Sequence, residues 1–358
     1  MRIAVLGGGN GSFAAAADFA LAGHEVRLWR RDAAAVEAHC VAGGTITVLD
    51  AAGRHVAQPA LITSDLAAAV RGAELILCPT PATAQAEIAA QLSPLLEDGQ
   101  VVFLPPGTLG SVLFARHCRA RVAFAETGTL PWLVRKRGPH EIAITVRAKR
   151  LPVGVFPLEL APHALAVIGQ AFPGVIEDCG DALSGALMNA GAIIHPPLII
   201  MNAGPLEHFP KWDIHNEGTQ PAIRRTTDAL DAERIAVREA LGYGGPHFPL
   251  ADHYASEGPE WMYGRKSHDR LTQSGDWRER IVLTEHRYMR EDTRMGLSLI
   301  ISVAQLAGVD VPLARGFSAI GAAIRGEAPD HGGRTLADVG LGGMDHAQVT
   351  EVLQHGFR

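Results

Sequence analysis

The chain has 358 residues, enough for two domains with cores of their own. Hydrophobic residues make up 47% and charged residues 20%, which excludes a disordered chain. A formal net charge of −6 argues against a nucleic-acid partner.

Met1 leads straight into a strand-like run, so no signal peptide is expected. Cys40, Cys78, Cys118 and Cys179 have neither metal-ligand spacing nor the density of a disulfide framework. Buried thiols in a reducing cytoplasm are the expectation, with no metal. Only four of the 32 basic residues are lysines: Lys136, Lys149, Lys211 and Lys266. That narrows any mechanism needing a catalytic lysine.

Arg2-Ile3-Ala4-Val5-Leu6 reads as a short buried strand. Gly7-Gly8-Gly9-Asn10-Gly11-Ser12 follows, then an Ala-rich helix from Phe13 to Ala22. A second strand, Glu25 to Trp29, ends at Arg30-Arg31-Asp32. Gly7 permits a tight turn, and Gly9 lets the backbone approach a pyrophosphate. The helix N-terminus supplies N–H donors and positive dipole. Ser12 stands where the G-x-G-x-x-G pattern has its third glycine. Between a strand and a helix, this fingerprint predicts a dinucleotide site at Gly7, Gly9, Asn10, Gly11 and Ser12. An acid at the end of the second strand binds the ribose 2′-hydroxyl of NAD, while arginine accommodates the 2′-phosphate of NADP. Arg30 holds that position with Arg31 beside it, so NADP(H) is preferred. NAD(H) stays open, because Asp32 can still turn inward. The plain alternative is a solvated basic turn.

Glu74 to Cys78 is a buried-strand run ending at Pro79-Thr80-Pro81, and Ala82 to Leu96 has helical composition. Gln100 to Leu104 is another strand, ending at Pro105-Pro106-Gly107. Val122–Glu126 and Glu141–Val146 are further strands. Strands alternating with helices predict a Rossmann-type α/β domain over 1–180, with a doubly wound parallel sheet. Ligands on such sheets lie beyond the carboxyl ends of the strands. The loops at 7–12, 79–82, 105–110 and 126–132 should therefore converge on the cofactor and bring Pro79, Pro81, Gly107 and Glu126 to it. Glu126 could equally cap the next turn.

From about 181 to 358 few strand-like runs remain, so a mainly α-helical second domain is expected. Asp181–His195, Asp228–Leu241 and Met295–Ala307 read as helices, and 242–249 and 257–264 as loops. The tail Gly332–Arg358, with Thr335 to Leu341, suggests a short helix and cap. The uncharged run Ala182–Leu206 is interrupted by Asn189, His195, Pro196, Pro197 and Asn202, and reads as buried core rather than a membrane span. Met188-Asn189-Ala190-Gly191 recurs as Met201-Asn202-Ala203-Gly204, which is not an architectural repeat. The residue before a proline is pushed from α geometry, so Pro196-Pro197 should end or kink the helix at His195 and release its side chain into a cleft.

Three further segments are informative together: Glu126-Thr127-Gly128-Thr129-Leu130-Pro131-Trp132 with Arg135; Asn189 to Pro196; and Arg287-Tyr288-Met289-Arg290-Glu291-Asp292 followed by Gly296-Leu297. Their order and spacing, with the Gly-x-Gly-Asn-Gly start, resemble the opine dehydrogenases, the octopine/nopaline dehydrogenase family, over nearly the whole chain. The resemblance implies a Rossmann domain, a helical second domain, and reductive condensation of an amino acid with a 2-oxo acid. It also implies that His195 is the catalytic histidine, Asp292 its acidic partner, and Arg287 a carboxylate-binding arginine. One departure is Arg30, where several family members carry an acid.

The chemistry of these side chains agrees with those roles. Histidine titrates near neutrality and suits proton transfer. A carboxylate on its other ring nitrogen would fix the tautomer and stabilise the imidazolium. A guanidinium meets a carboxylate bidentately. Each has a plainer reading: one polar cap among 16 histidines for His195, and a solvated charged face for Arg287 and Asp292. His208 and His215 compete for the histidine role. No G-x-S-x-G elbow, H-E-x-x-H helix or P-loop is present, and Asp252-His253 has no third ligand at metal spacing. The nearest enzymatic alternative is a reductase of glycerol-3-phosphate or ketopantoate type. Those families rely on a lysine in the helical domain, and 181–210 contains none. A non-catalytic dinucleotide sensor would keep Gly7, Gly9 and Arg30 but would need no His–Asp pair. Expected partners are small molecules, an amino acid and a 2-oxo acid, with no nucleic acid and no membrane; a homodimer is compatible with the sequence.

Overall fold

The structure, a computed structural model, describes residues 1–328 and 332–357. The chain divides into two compact units, one of Met1–Gly185 with the terminal segment from Leu353, the other Ala186–Val352.

In the first unit β1 (Arg2–Leu6), α1 (Asn10–Leu21) and β2 (Glu25–Trp29) are followed by α2 (Ala33–Val41) and the hairpin β3 (Ile46–Asp50) and β4 (Gly53–Ala57). Then come β5 (Leu61–Thr63), α3 (Leu66–Val70), β6 (Leu75–Leu77), α4 (Gln85–Leu92), β7 (Val101–Leu104), α5 (Gly110–Ala115) and β8 (Ala123–Thr127). A second hairpin, β9 (Trp132–Gly138) and β10 (Glu141–Arg147), precedes β11 (Leu151–Phe156), α6 (Ala161–Ala171) and β12 (Ile176–Asp181). Eight strands form one sheet in the order β12-β11-β8-β7-β6-β1-β2-β5. From β5 to β8 every pairing is parallel. Helices on both faces explain the uninterrupted apolar runs in β1, β6 and β7, which are fully buried from Ile3 to Leu6 and from Val101 to Leu104.

The sheet departs from the expected all-parallel form in two ways. β11 pairs antiparallel with β8, because a hairpin rather than a crossover helix connects them. The strand expected over Glu141–Val146 leaves the main sheet altogether. It joins a second, four-stranded sheet in the order β4-β3-β10-β9. Its inward residues Ile142, Ile144 and Val146 are buried, and this sheet covers α1 from the side away from β1 and β2. Enclosed in this way, α1 is small and apolar around its circumference, with Ala14 to Ala17 fully buried.

After the short α7 (Ala182–Ala186), the second unit begins with α8 (Gly191–Met201) and α9 (Ala203–His208). β13 (Trp212–Asp213), α10 (Pro221–Ala240), α11 (Ala251–Tyr254), α12 (Ser267–Ser274) and β14 (Arg278–Glu279) lead to a π-helix at Tyr288–Gly296. The π-helix runs directly into α13 (Leu297–Ala307), and α14 (Pro312–Arg325) and α15 (His346–His355) complete the chain. The helix expected over Asp181–His195 is broken between Ala186 and Gly191, then continues to Met201 through Pro196 and Pro197. The prolines do not end it. Ile193, Leu198 and Ile199 are buried against neighbouring helices, and that packing outweighs the lost backbone donors. The stretch Ala182–Met201 is apolar and long enough to cross a membrane by composition alone, yet 83% of its 18-residue apolar window is buried inside the protein. In the tail, Thr335–Leu341 forms turns rather than a helix, and the helix lies later, at His346–His355; Arg358 lies outside the described residues.

Candidate active site

Each unit carries its own set of chemically equipped residues. In the first, β1 ends at Gly7, whose φ of +113° favours glycine. The Gly7 N–H donates to the Trp29 carbonyl at 2.8 Å. Ser12 compensates for the missing third glycine by donating its hydroxyl to the Leu6 carbonyl at 3.1 Å. Gly9 is the N-cap of α1, no side chain caps it, and nothing lies within 4 Å of where its Cβ would be. The result is an open helix N-terminus with its N–H groups available, which fits a pyrophosphate. Gly11 packs tightly: a Cβ there would come within 2.7 Å of Leu130 and 3.3 Å of Pro79. Thr80 lies beside Gly7, and a Cβ on Gly107 would overlap the Glu126 carboxylate. The four loops thus meet at the carboxyl edge of the sheet.

The predicted cofactor residues fare differently in detail. Asn10 accepts the Lys136 backbone N–H at 2.9 Å, tying β9 to the glycine loop. Glu126 is fully buried against the 105–110 turn. Pro81 is exposed and precedes a single 3₁₀ turn. Arg31 points outward to Glu87 in an exposed ion pair of 3.2 Å. Asp32 caps α2, its carboxylate accepting the Ala35 N–H at 3.1 Å. Arg30 donates to the Ala35 carbonyl at 2.9 Å, and its Nε would lie 3.1 Å from a Cβ on Gly8.

The second unit assembles the His–Asp pair across 97 residues of chain. His195 Nδ1 lies 2.8 Å from Asp292 Oδ2, with both residues buried. An Nδ1–H donated to the carboxylate fixes the tautomer and leaves proton exchange to Nε2. Asp292 sits in the π-helix, whose wider turn is seen in the Leu297 N–H bonding back to the Asp292 carbonyl. Burial pushes the Asp292 carboxyl above its ordinary range, and the Arg287 guanidinium pulls it back. The π-helix comes this close because α8 begins with glycine. A Cβ on Gly191 would fall 2.4 Å from Asp292 Oδ1, and one on Gly296 would fall 2.6 Å from Ala192 Cβ.

Two further residues complete the cluster: Tyr288, given no role from the sequence, and His215, one of the two histidines that competed with His195. The Tyr288 ring stacks on His195, with centroids 3.5 Å apart and planes within 10°. Its hydroxyl lies 2.8 Å from His215 Nε2. His215 is buried and edge-on to His195 at 6.1 Å. His208 is exposed at the end of α9 and takes no part in this cluster. Arg287, immediately before the π-helix, is exposed, with its guanidinium 4.9 Å from the Tyr288 ring centre. Among the described residues, no group of three His, Cys, Asp or Glu side chains is placed to hold a metal ion. Tyr288 could have been suspected from its place between Arg287 and Asp292, but the stacking is a tertiary fact.

Comparison with known proteins agrees with both halves. Residues 178–325 match the alpha-helical domain of NAD/NADP octopine/nopaline dehydrogenase. Residues 2–105 match the N-terminus of NAD-dependent glycerol-3-phosphate dehydrogenase. The opine dehydrogenase of Arthrobacter sp. (strain 1C) is 27% identical over 363 residues, covering 98% of each chain. An octopine dehydrogenase solved with NADH and agmatine aligns over 98% of each chain at 19% identity, with a TM-score of 0.72. A yersinopine dehydrogenase solved with NADP+ covers 99% of this chain and 98% of its own, at 14% identity and a TM-score of 0.66.

Proposed function

We propose that this chain is a member of the octopine/nopaline dehydrogenase family of NAD(P)H-dependent oxidoreductases, which reductively condense an amino acid with a 2-oxo acid, and that His195, Asp292 and Arg287 carry its chemistry. The observation that supports this most strongly is the buried 2.8 Å contact between His195 and Asp292 under the Tyr288 ring.

Condensation of the amine with the keto carbon expels water, and reduction of the resulting imine requires one hydride and one proton. Bound at the glycine loop, the reduced nicotinamide cofactor supplies the hydride. Gly7, Gly9 and the α1 N-terminus would hold its pyrophosphate. His195 Nε2 polarises the keto or imine centre and delivers the proton. Asp292 stabilises the imidazolium and keeps the ring in one tautomer. The stacked Tyr288 ring, held through its hydroxyl by His215, restrains the imidazole plane. Arg287 receives a substrate carboxylate with its planar fork.

The cofactor proposed is NADP(H). Arg30 stands at the position that reads the ribose, and the one acid nearby, Asp32, is spent on capping α2. The test is NADPH oxidation across pairs of amino acids and 2-oxo acids, each component also assayed alone. Oxidation that needs both components supports the reading. Oxidation with an oxo acid alone, or with no pair tried, counts against it.

A further inference from the structure

Beyond Arg30, a second cation stands at the glycine loop. Lys136 lies on β9 at the same register parity as Trp132 and Val134, which are both buried on the side facing α1. An inward parity is an unusual place for a lysine, whose ammonium is strongly hydrated. Its Nζ lies 3.9 Å from the centre of the Phe13 ring and 3.5 Å from the Gly8 carbonyl oxygen. Arg30 lies against the same ring, with its guanidinium carbon 5.4 Å from the centre. Its backbone is fixed as well, by the bond from the Lys136 N–H to Asn10.

Among the described residues, neither cation makes an ion pair. Burial and the neighbouring Arg30 charge both hold the Lys136 ammonium below its ordinary range. The adjacent histidines do not share that charge. His39 and His140 stack at 4.0 Å, and burial with the two cations holds both imidazoles low. Two like charges held together at an anion-binding loop destabilise the folded protein unless an anion lies between them.

We infer that Lys136 and Arg30 form a two-armed clamp for a phosphate monoester on the ribose of the bound dinucleotide. The inference rests on the NADP(H) reading. It assigns to a hairpin of the second sheet a specificity role that the fingerprint alone does not contain.

The test uses the cofactor-free protein, with binding measured by titration calorimetry. The probes are adenosine 2′,5′-bisphosphate and adenosine 5′-monophosphate. The wild type should favour the bisphosphate. Lys136→Met should lose roughly tenfold of that preference, as for one charge-assisted contact, with monophosphate affinity unchanged. Lys136→Arg should keep most of it. A wild type that favours the bisphosphate, with a Lys136→Met variant of the same preference, overturns the clamp and leaves the NADP(H) reading standing. Equal binding of both probes by the wild type overturns both. Equal weakening of both probes in Lys136→Met places the lysine at the 5′-phosphate and also overturns the clamp.

Discussion

A single methyl group at position 191 should slow the enzyme by displacing Asp292, with every catalytic side chain left in the sequence. A Cβ there would lie 2.4 Å from Asp292 Oδ1 and 3.1 Å from Asn189 Oδ1. Ordinary contact needs roughly 1 Å more than the shorter of these. The carboxylate has to withdraw by about that much, which disturbs the 2.8 Å bond from its other oxygen to His195. A displacement of this size at a positioned catalytic group costs about 10²-fold in rate. Forcing the methyl into packed core should cost about 1–3 kcal/mol of stability. Gly191→Ala is therefore expected to fold, to bind nucleotide normally, and to turn over about a hundredfold more slowly at saturating substrates. The assay pairs steady-state kinetics with urea unfolding, and repeats both in an Asp292→Ala background. There the clash is gone, so the added methyl should cost little further. Wild-type turnover in a folded Gly191→Ala enzyme would refute the claim that the close approach of α8 and the π-helix serves catalysis. So would a full, additive loss in the Asp292→Ala background.

Arg287→Lys keeps the charge but loses the fork, so kcat/KM for the carboxylate substrates should fall about tenfold while nucleotide binding stays constant; a variant that instead loses nucleotide affinity places Arg287 outside the substrate site. Arg30→Asp should weaken NADPH binding by about tenfold or more and affect NADH less, measured by fluorescence titration; tighter NADH than NADPH binding by the wild type contradicts the cofactor assignment. His253 is buried, and desolvation, helped by His268 and Arg224, lowers it from 6.5 to about 3. Its neutral form is therefore favoured in the folded state, and its contribution to stability is present above pH 6.5 and lost as pH falls towards the folded value. In urea unfolding His253→Phe should flatten the decline below pH 6.5, removing about 1.4 kcal/mol per pH unit; an unchanged slope would show that His253 is not the titrating group.

Much of the first unit was legible because its signals are local. A buried β1, a glycine turn and a small-residue helix follow one another within 21 residues, and Arg30 is found by counting to the end of the next strand. The four-stranded sheet was not legible, because its two hairpins are separated by most of the main sheet and only the fold brings them together over α1. Lys136 was hidden for the same reason. In the second unit, His195 and Asp292 were found through a resemblance in spacing; local chemistry alone left each with a plainer reading. The local argument for His195 was misleading. Pro196 and Pro197 lie inside α8, and His195 is buried at its Asp292 contact rather than released by a broken helix. The roles of Tyr288 and His215 beside His195 were not legible, since a ring stack across 93 residues and a hydrogen bond across 73 leave no trace in sequence pattern.

The central claim is that His195 and Asp292 act as one proton-handling unit. The most direct measurement is turnover of His195→Ala, Asp292→Asn and the double variant, on an amino acid and 2-oxo acid pair that the wild type reduces. Adenosine nucleotide binding serves as the control for folding. His195→Ala should lower turnover about 10²–10⁴-fold and remove a near-neutral ionisation from the pH profile. Asp292→Asn should lower turnover too, and the double variant should lose little beyond His195→Ala, because the two groups work together. Near-normal turnover of a folded His195→Ala enzyme, or losses that multiply in the double variant, would contradict the account.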